Sequence, residues 1–132
     1  MLFIDANVFI GYYNLRDVHH ARAVGLWQEI ENGKYGNYFT SDYVFNEVVG
    51  VTLRKFGKEA ALSLGETILR SVAIITVEKS MLIEAWKLFV NSELSLNLVD
   101  CTNMITMKFA GAFSIATFDQ EFKKVKGIKV MS

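Results

Sequence analysis

The chain has 132 residues, 52% of them apolar, and its 14 basic and 14 acidic side chains cancel. A neutral chain of this length fits one ordinary domain, argues against a protein that coats nucleic acid by bulk charge, and favours self-association. It has no apolar run long enough for a membrane span and no signal-peptide core, and its one cysteine, Cys101, has no zinc-ligand partners at the usual spacing. We therefore expect a single cytoplasmic domain over residues 1–132, with no membrane segment and a reduced, buried thiol.

Short apolar runs alternate along the chain with longer amphipathic segments. In chain order they predict a strand at 2–4, helices at 8–13 and 21–31, a strand at 38–40, helices at 42–56 and 58–70, a strand at 72–77, helices at 81–90 and 98–112, and strands at 114–116 and 128–131. Ser41 or Asp42 is predicted to cap the third helix, Gly57 to end it, and Ser80 to cap the fifth. The segment 98–112 is nearly all apolar, so we expect that helix to be buried on most sides.

Strands separated by helices imply right-handed crossovers and a parallel sheet that is covered on both faces. The predicted fold is therefore α/β, a three-layer α/β/α sandwich around a short central parallel sheet. No phosphate-binding glycine loop follows the first strand, which disfavours a dinucleotide or ATP enzyme. A phosphorylated receiver domain is disfavoured as well, because the strand at 72–77 offers no acceptor aspartate.

Three aspartates stand where the predicted elements meet. Asp5 ends the first strand, Asp119 lies just past the fourth, and Asp100 is in the first turn of the apolar helix. The carboxyl ends of neighbouring parallel strands share one edge of the sheet, where sites form. Taken singly, each aspartate is also a favoured helix cap, and that interpretation stays open for each of them.

Glu47 is the fourth acid of interest. Val44, Val48 and Val51 flank it at helical spacing, which places it on the shoulder of a buried stripe. Taken alone, it could equally extend its carboxylate to water.

Considered together, the four carboxylates predict a metal centre. Crowded carboxylates repel one another and protonate unless cations hold them. Oxygen ligands without a histidine or cysteine cluster favour Mg²⁺ or Mn²⁺ over zinc, and such ions activate water for attack on a phosphodiester. Asn7 and Thr117, each two residues from an acid, are candidates to orient water or phosphate, with turn and cap hydrogen bonds as the alternative.

Four segments in order resemble the motifs of PIN domains over essentially the whole chain. They are residues 2–10, Thr40-Ser41 followed by Glu47, residues 96–101 and residues 116–122. The resemblance implies a PIN-like sandwich, metal-dependent cleavage of RNA, and Asp5, Glu47, Asp100 and Asp119 as metal ligands. Stand-alone chains of this size resemble VapC toxins, which implies a ribonuclease, a small VapB-like antitoxin and a homodimer. Downstream of Asp100 the sequence offers Asn103 and no second acid, so the number of ions stays open.

Two further groups of residues, and two further functions, are alternatives to this interpretation. His19 and His20 are adjacent and have no third ligand nearby, so packing is favoured over metal binding. Lys123, Lys124 and Lys126 follow Asp119, and as an alternative to a solvated face they could form a rim that positions RNA phosphates. The competing functions are a non-catalytic PIN-like module that binds RNA or protein and, ranked lower, a flap-type DNA nuclease.

Overall fold

The computed structural model describes residues 1–132. The strands are β1 (Leu2–Ile4), β2 (Tyr38–Ser41), β3 (Ala73–Ile75), β4 (Ser114–Ala116) and β5 (Lys129–Met131). The α-helices are α1 (Ala6–Tyr13), α2 (His20–Glu31), α3 (Asp42–Phe56), α4 (Lys58–Ser71), α5 (Lys79–Asn91) and α6 (Leu98–Ala110). A 3-10 helix over Gln120–Lys124 joins β4 to β5.

All five strands are parallel, in the order β3-β2-β1-β4-β5. Leu2 is opposite both Tyr38 and Ser114, so β1 is the central strand, and each of its residues is fully buried. Continuous apolar strands are expected where a parallel sheet is covered on both faces. The predicted three-layer α/β/α fold is confirmed.

The strand order determines where a cleft can form. The chain moves outward from β1 through β2 to β3, then crosses back to β4 and continues to β5. Right-handed crossovers place α1 to α4 on one face of the sheet and α5 and α6 on the other. The direction reverses between β1 and β4, and the carboxyl ends of two such strands form the crevice in which open α/β sheets bind ligands.

Three predicted boundaries are corrected by backbone hydrogen bonds and backbone conformation. β3 covers three residues rather than 72–77. The N–H of Val72 donates to the Ile68 carbonyl and so belongs to the end of α4, and the N–H of Val77 donates to the Asp42 carboxylate rather than to a neighbouring strand. The α6 helix ends at residue 110 because Gly111 takes the left-handed conformation there.

Ser80 does not cap α5. The helix begins at Lys79, two residues earlier than a Ser80 cap requires, and the carbonyl of Glu78 accepts the N–H groups of Met81 and Leu82. The prediction for α3 is confirmed, since the hydroxyl of Ser41 accepts the Val44 N–H at 3.1 Å.

The α6 helix is buried on most sides, as its sequence predicts. Residues 101–107 are buried without interruption, and Cys101 among them is a free, buried cysteine. No helix of the structure combines the length and the apolar character that crossing a bilayer requires.

Replacing Phe3 by alanine tests the central strand as the core of the fold. Phe3 is fully buried and packs edge-to-face on Phe39 with ring centroids 5.4 Å apart. We expect Phe3→Ala to lower the free energy of unfolding by about 3–5 kcal/mol, measured by urea denaturation. Phe113, which is 66% exposed, supplies the control: Phe113→Ala should change stability little. Equal losses in both variants would contradict this placement of the core.

Candidate active site

Asp5 lies at the carboxyl end of β1 and caps α1. It is 8% exposed, and its Oδ1 accepts the Ala6 N–H at 2.8 Å. Its Oδ2 accepts the Thr117 hydroxyl at 2.7 Å and the Asn7 amide at 3.3 Å. The cap predicted as an alternative is therefore real, and it coexists with a network of neutral donors that fixes both carboxylate oxygens.

Thr117 and Asn7 join the turn after β4 to the start of α1. The Thr117 hydroxyl accepts the Asn7 amide and the Asp119 N–H, each at 3.1 Å. The side-chain carbonyl oxygen of Asn7 in turn accepts the Phe118 N–H at 3.1 Å. Both predicted supporting residues thus contact the acids, directly or through the backbone, and hold two neighbouring strand ends in register.

Asp100 and Asp119 also cap helices, and each keeps one oxygen outside its cap. Asp100 forms a capping box with Asn97, in which its Oδ2 accepts the Asn97 N–H at 3.0 Å. Asp119 accepts the Glu121 N–H through Oδ1 at 3.0 Å. The remaining oxygens, Oδ1 of Asp100 and Oδ2 of Asp119, accept no hydrogen bond from the protein. Capping orients these carboxylates without consuming them.

Glu47 lies on α3 beside the buried Val44 and Val48, as predicted. It is the most exposed of the four acids and accepts no hydrogen bond from the protein. Partial burial, followed by the charge of Asp100, raises the pKa of the Glu47 carboxyl above its usual range. The shoulder position therefore brings Glu47 to the other acids rather than only to water.

One cleft gathers all four predicted carboxylates. It is lined by Asp5, Ala6, Asn7, Ile10, Glu47, Asn97, Val99, Asp100 and Asp119. No lysine, arginine or histidine lines this cleft, so no protein cation offsets the acids. A cleft of this composition repels phosphate and attracts cations.

The pKa of Asp5 is raised from 3.8 to about 6. Burial is the largest cause; the charges of Glu47 and Asp100 also raise the pKa, and hydrogen bonds from Thr117 and Ala6 oppose the shift. Burial also raises the pKa of Asp100, opposed by its bond from the Asn97 backbone and reinforced by Asp119. The acids therefore interact in a chain across the cleft, and ionising all of them costs free energy.

The side chains do not form a finished ion cage. No three histidine, cysteine, aspartate or glutamate side chains converge closely enough to hold a metal ion directly. The donors nevertheless fit a hard divalent cation, because all are oxygens and Glu47, Asp100 and Asp119 each keep at least one oxygen free of hydrogen bonds from the protein. Mg²⁺ also commonly retains several waters between itself and its ligands. The residues present thus fit a hydrated divalent ion better than a tightly caged one.

Asn103 also contacts Asp5, and the sequence alone assigned it no role. It follows Asp100 by three residues on α6, is fully buried, and directs its amide to Oδ1 of Asp5 at 3.4 Å. The helical spacing from Asp100 was the available signal, because residues three apart share one face of a helix.

The two histidines lie outside the cleft. His19 stacks on Phe118 with ring centroids 4.5 Å apart, and His20 bonds the Gly11 carbonyl at 2.9 Å. Both histidines therefore pack the fold, as the sequence favours.

The lysines considered as an RNA rim also lie outside the cleft. Lys123, Lys124 and Lys126 are exposed, and none of them lines the cleft beside Asp119. The reason is the fully buried Phe122, which anchors the 3-10 helix to the core and leaves its neighbours Lys123 and Lys124 in solvent. Lys124 moreover pairs with Glu121 at 2.7 Å, and Lys126 lies in the turn before β5. These lysines are solvated in the free chain, and their contact with RNA phosphates stays a prediction.

Comparison with known proteins now identifies the fold family. The family model of the PIN domain matches residues 2–128. The chain belongs to the PIN domain family. A curated VapC ribonuclease from Archaeoglobus fulgidus is 36% identical over 55 residues, which cover 42% of this chain and 34% of that protein. The match therefore spans about a third of that relative's length.

Solved structures share the PIN fold over the full chain. The sarcin-ricin loop cleaving toxin VapC20 of Mycobacterium tuberculosis superposes with a TM-score of 0.86 at 24% identity, covering 100% of both chains. VapBC2 of Rickettsia felis, solved bound to a promoter DNA fragment, gives 0.72 at 17% identity over 99% of this chain and 98% of that one. At these identities the likeness establishes the fold.

The raised pKa values make the stability of this PIN domain depend on pH. The folded pKa of Asp5, about 6, lies above its ordinary value of 3.8, so the unfolded chain ionises first as pH rises. In EDTA, the free energy of unfolding should therefore fall between about pH 4 and pH 6, by up to about 3 kcal/mol from Asp5 alone. Urea denaturation at each pH measures it, and Mg²⁺ should reduce the loss.

Two variants separate Asp5 from the rest of the molecule. Asp5→Asn should flatten the decline, whereas Glu66→Gln, an exposed acid on α4 without a hydrogen bond or ion pair, should retain it. An unchanged slope in Asp5→Asn would show that Asp5 is not the group responsible.

Proposed function

We propose that this chain is a Mg²⁺- or Mn²⁺-dependent endoribonuclease of the VapC type. The observation that carries the proposal is the buried Asp5 carboxylate at the point where the strand order reverses, in one cleft with three further acids and no protein cation. The similarity to a curated VapC ribonuclease over part of the chain supports the same reaction.

Asp5, Glu47, Asp100 and Asp119 would hold the ion or ions. A bound Mg²⁺ or Mn²⁺ supplies the activation of water and the stabilisation of the leaving oxygen during phosphodiester hydrolysis. The Thr117 hydroxyl orients Asp5 by donating to its Oδ2, and the capping bonds orient Asp100 and Asp119. Without a cation, the same carboxylates repel the RNA backbone and keep it out of the cleft.

Removing a ligand carboxylate should abolish cleavage. We expect Asp5→Asn and Asp100→Asn to lower the rate of cleavage of total RNA at saturating Mg²⁺ by at least about 100-fold, and EDTA to abolish it in the wild type. Circular dichroism should report an intact fold in both variants, and Glu66→Gln should cleave at the wild-type rate.

The outcomes of this assay separate the candidate functions. Retained cleavage in both aspartate variants would contradict the assigned site. RNA binding without metal-dependent cleavage by the wild type would favour the non-catalytic module instead. Preference for a branched DNA duplex over RNA would favour the flap-type nuclease.

A small VapB-like antitoxin is the partner that this function implies. Among the structures that share the fold are a toxin–antitoxin complex from Klebsiella pneumoniae and a DNA-bound VapBC from Salmonella typhimurium, with TM-scores of 0.69 and 0.74. These descriptions are of those proteins, and the partner is carried over to this chain as part of the proposal.

The homodimer is proposed through α5. This helix exposes Ile83, Trp86 and Val90, which recur at helical spacing on one face, with Trp86 55% exposed. A patch of this kind on a chain without net charge favours contact with a second copy.

Placing a charge in the α5 patch should separate the copies. We expect Trp86→Glu to shift the chain to monomer in sedimentation equilibrium, because a buried carboxylate at an interface is costly. Leu69→Glu, at a 61% exposed apolar position on α4, is the control and should leave the mass unchanged. A wild-type monomer, or a dimer in both variants, would exclude this interface.

A further inference from the structure

Asn103 is a fully buried polar side chain that the proposed function leaves unused. It lies on α6 between the buried Thr102 and Met104, one helical turn after Asp100. Its amide nitrogen donates to Oδ1 of Asp5 at 3.4 Å, which is the one hydrogen bond from α6 to that carboxylate. It therefore connects the helix that carries Asp100 with the strand that carries Asp5.

The other end of the Asn103 amide has no partner. Its Oδ1 is buried and accepts no hydrogen bond, one of two buried side-chain polar atoms of the structure left in that state. A buried carbonyl without a donor destabilises a fold, and an apolar side chain of similar size would avoid the cost. An asparagine here is therefore poorly explained by packing alone.

The surroundings of Asn103 indicate which group could donate a hydrogen bond to its Oδ1. The carboxylate of Asp5 already accepts hydrogen bonds from Ala6, Asn7 and Thr117, and each of these donors is neutral, as Asn103 is. A second acid beside Asp5 would add to the charge that already raises its pKa. An amide instead donates to the carboxylate and still offers an acceptor for water.

We propose that Asn103 is a positioning residue of the metal site, whose amide holds Asp5 in the orientation that a hydrated divalent cation needs and whose Oδ1 accepts a water of that cation. This inference rests on the proposed function, because it requires the cleft to bind an ion. Partners of this kind orient ligands and commonly change metal affinity by about 10–100-fold. Mg²⁺ and Mn²⁺ sites suit such a partner because these ions keep bound waters.

Metal binding to the full chain tests the role without an activity assay. Isothermal titration with Mn²⁺ should give a Kd about 10–100-fold higher for Asn103→Leu than for the wild type. The same variant should have a Tm in EDTA close to that of the wild type, because leucine removes the unpartnered carbonyl together with the hydrogen bond to Asp5. A merely structural asparagine predicts the opposite pattern, namely a lower Tm and unchanged Mn²⁺ affinity.

Thr106→Val is the matched control. Thr106 is fully buried on the same helix, and its hydroxyl donates to the Thr102 carbonyl at 2.8 Å rather than to any of the four acids. Removal of the Thr106 hydroxyl should leave the Kd for Mn²⁺ unchanged. Asn103→Ser decides the matter if the leucine variant does not fold, since its shorter side chain should weaken Mn²⁺ binding about 10-fold.

The results separate this inference from the function on which it rests. Weaker Mn²⁺ binding in both Asn103 variants, with Thr106→Val unchanged, supports it. Wild-type affinity in a folded Asn103→Leu or Asn103→Ser overturns it and leaves the metal-dependent nuclease intact. A wild-type chain that binds no Mn²⁺ overturns both.

Discussion

The structure depends on keeping one carboxylate, that of Asp5, out of water at the end of its central strand. A buried carboxylate is stable only when hydrogen bonds and charges compensate for the lost hydration. Thr117, Asn7, Ala6 and Asn103 supply hydrogen bonds to Asp5 but no positive charge. The deficit is one of charge rather than of hydrogen bonds, and on the proposed function a bound cation would correct it.

Ordinary folding rules deliver the other acids to the same place. Asp100 and Asp119 sit where helices begin, which is where aspartate stabilises a helix, and the order of strands brings those helix starts to the edge beside β1. Capping and the proposed ligand roles are compatible: the cap fixes the direction of each carboxylate, and one oxygen remains outside it. Each of these aspartates both caps a helix and lines the cleft, so the two interpretations do not exclude each other.

The sequence predicted the fold well where periodicity and capping agree, and poorly where a distant hydrogen bond intervenes. The strand β1 and the buried helix α6 follow from local apolar patterns. β3 was predicted too long because the N–H of Val77 bonds Asp42, which is 35 residues away in sequence. From the sequence, Asn103 stood out only because no second acid follows Asp100 on that helix. No local pattern reports that a buried amide leaves one oxygen without a hydrogen-bond partner. Whether a buried polar atom finds a hydrogen-bond partner depends on the tertiary structure.

A neutral chain with an acidic cleft has a consequence for recognition of RNA. Neither the net charge nor the residues lining the cleft attract a phosphate backbone, so on the proposed function the bound cation supplies the attraction. On the proposed function, metal and RNA then share one binding free energy: whatever factor the cation adds to RNA affinity, RNA adds to cation affinity. The absence of an ion cage fits such coupling, because a hydrated ion held loosely by the acids gains further oxygen ligands when a phosphate enters.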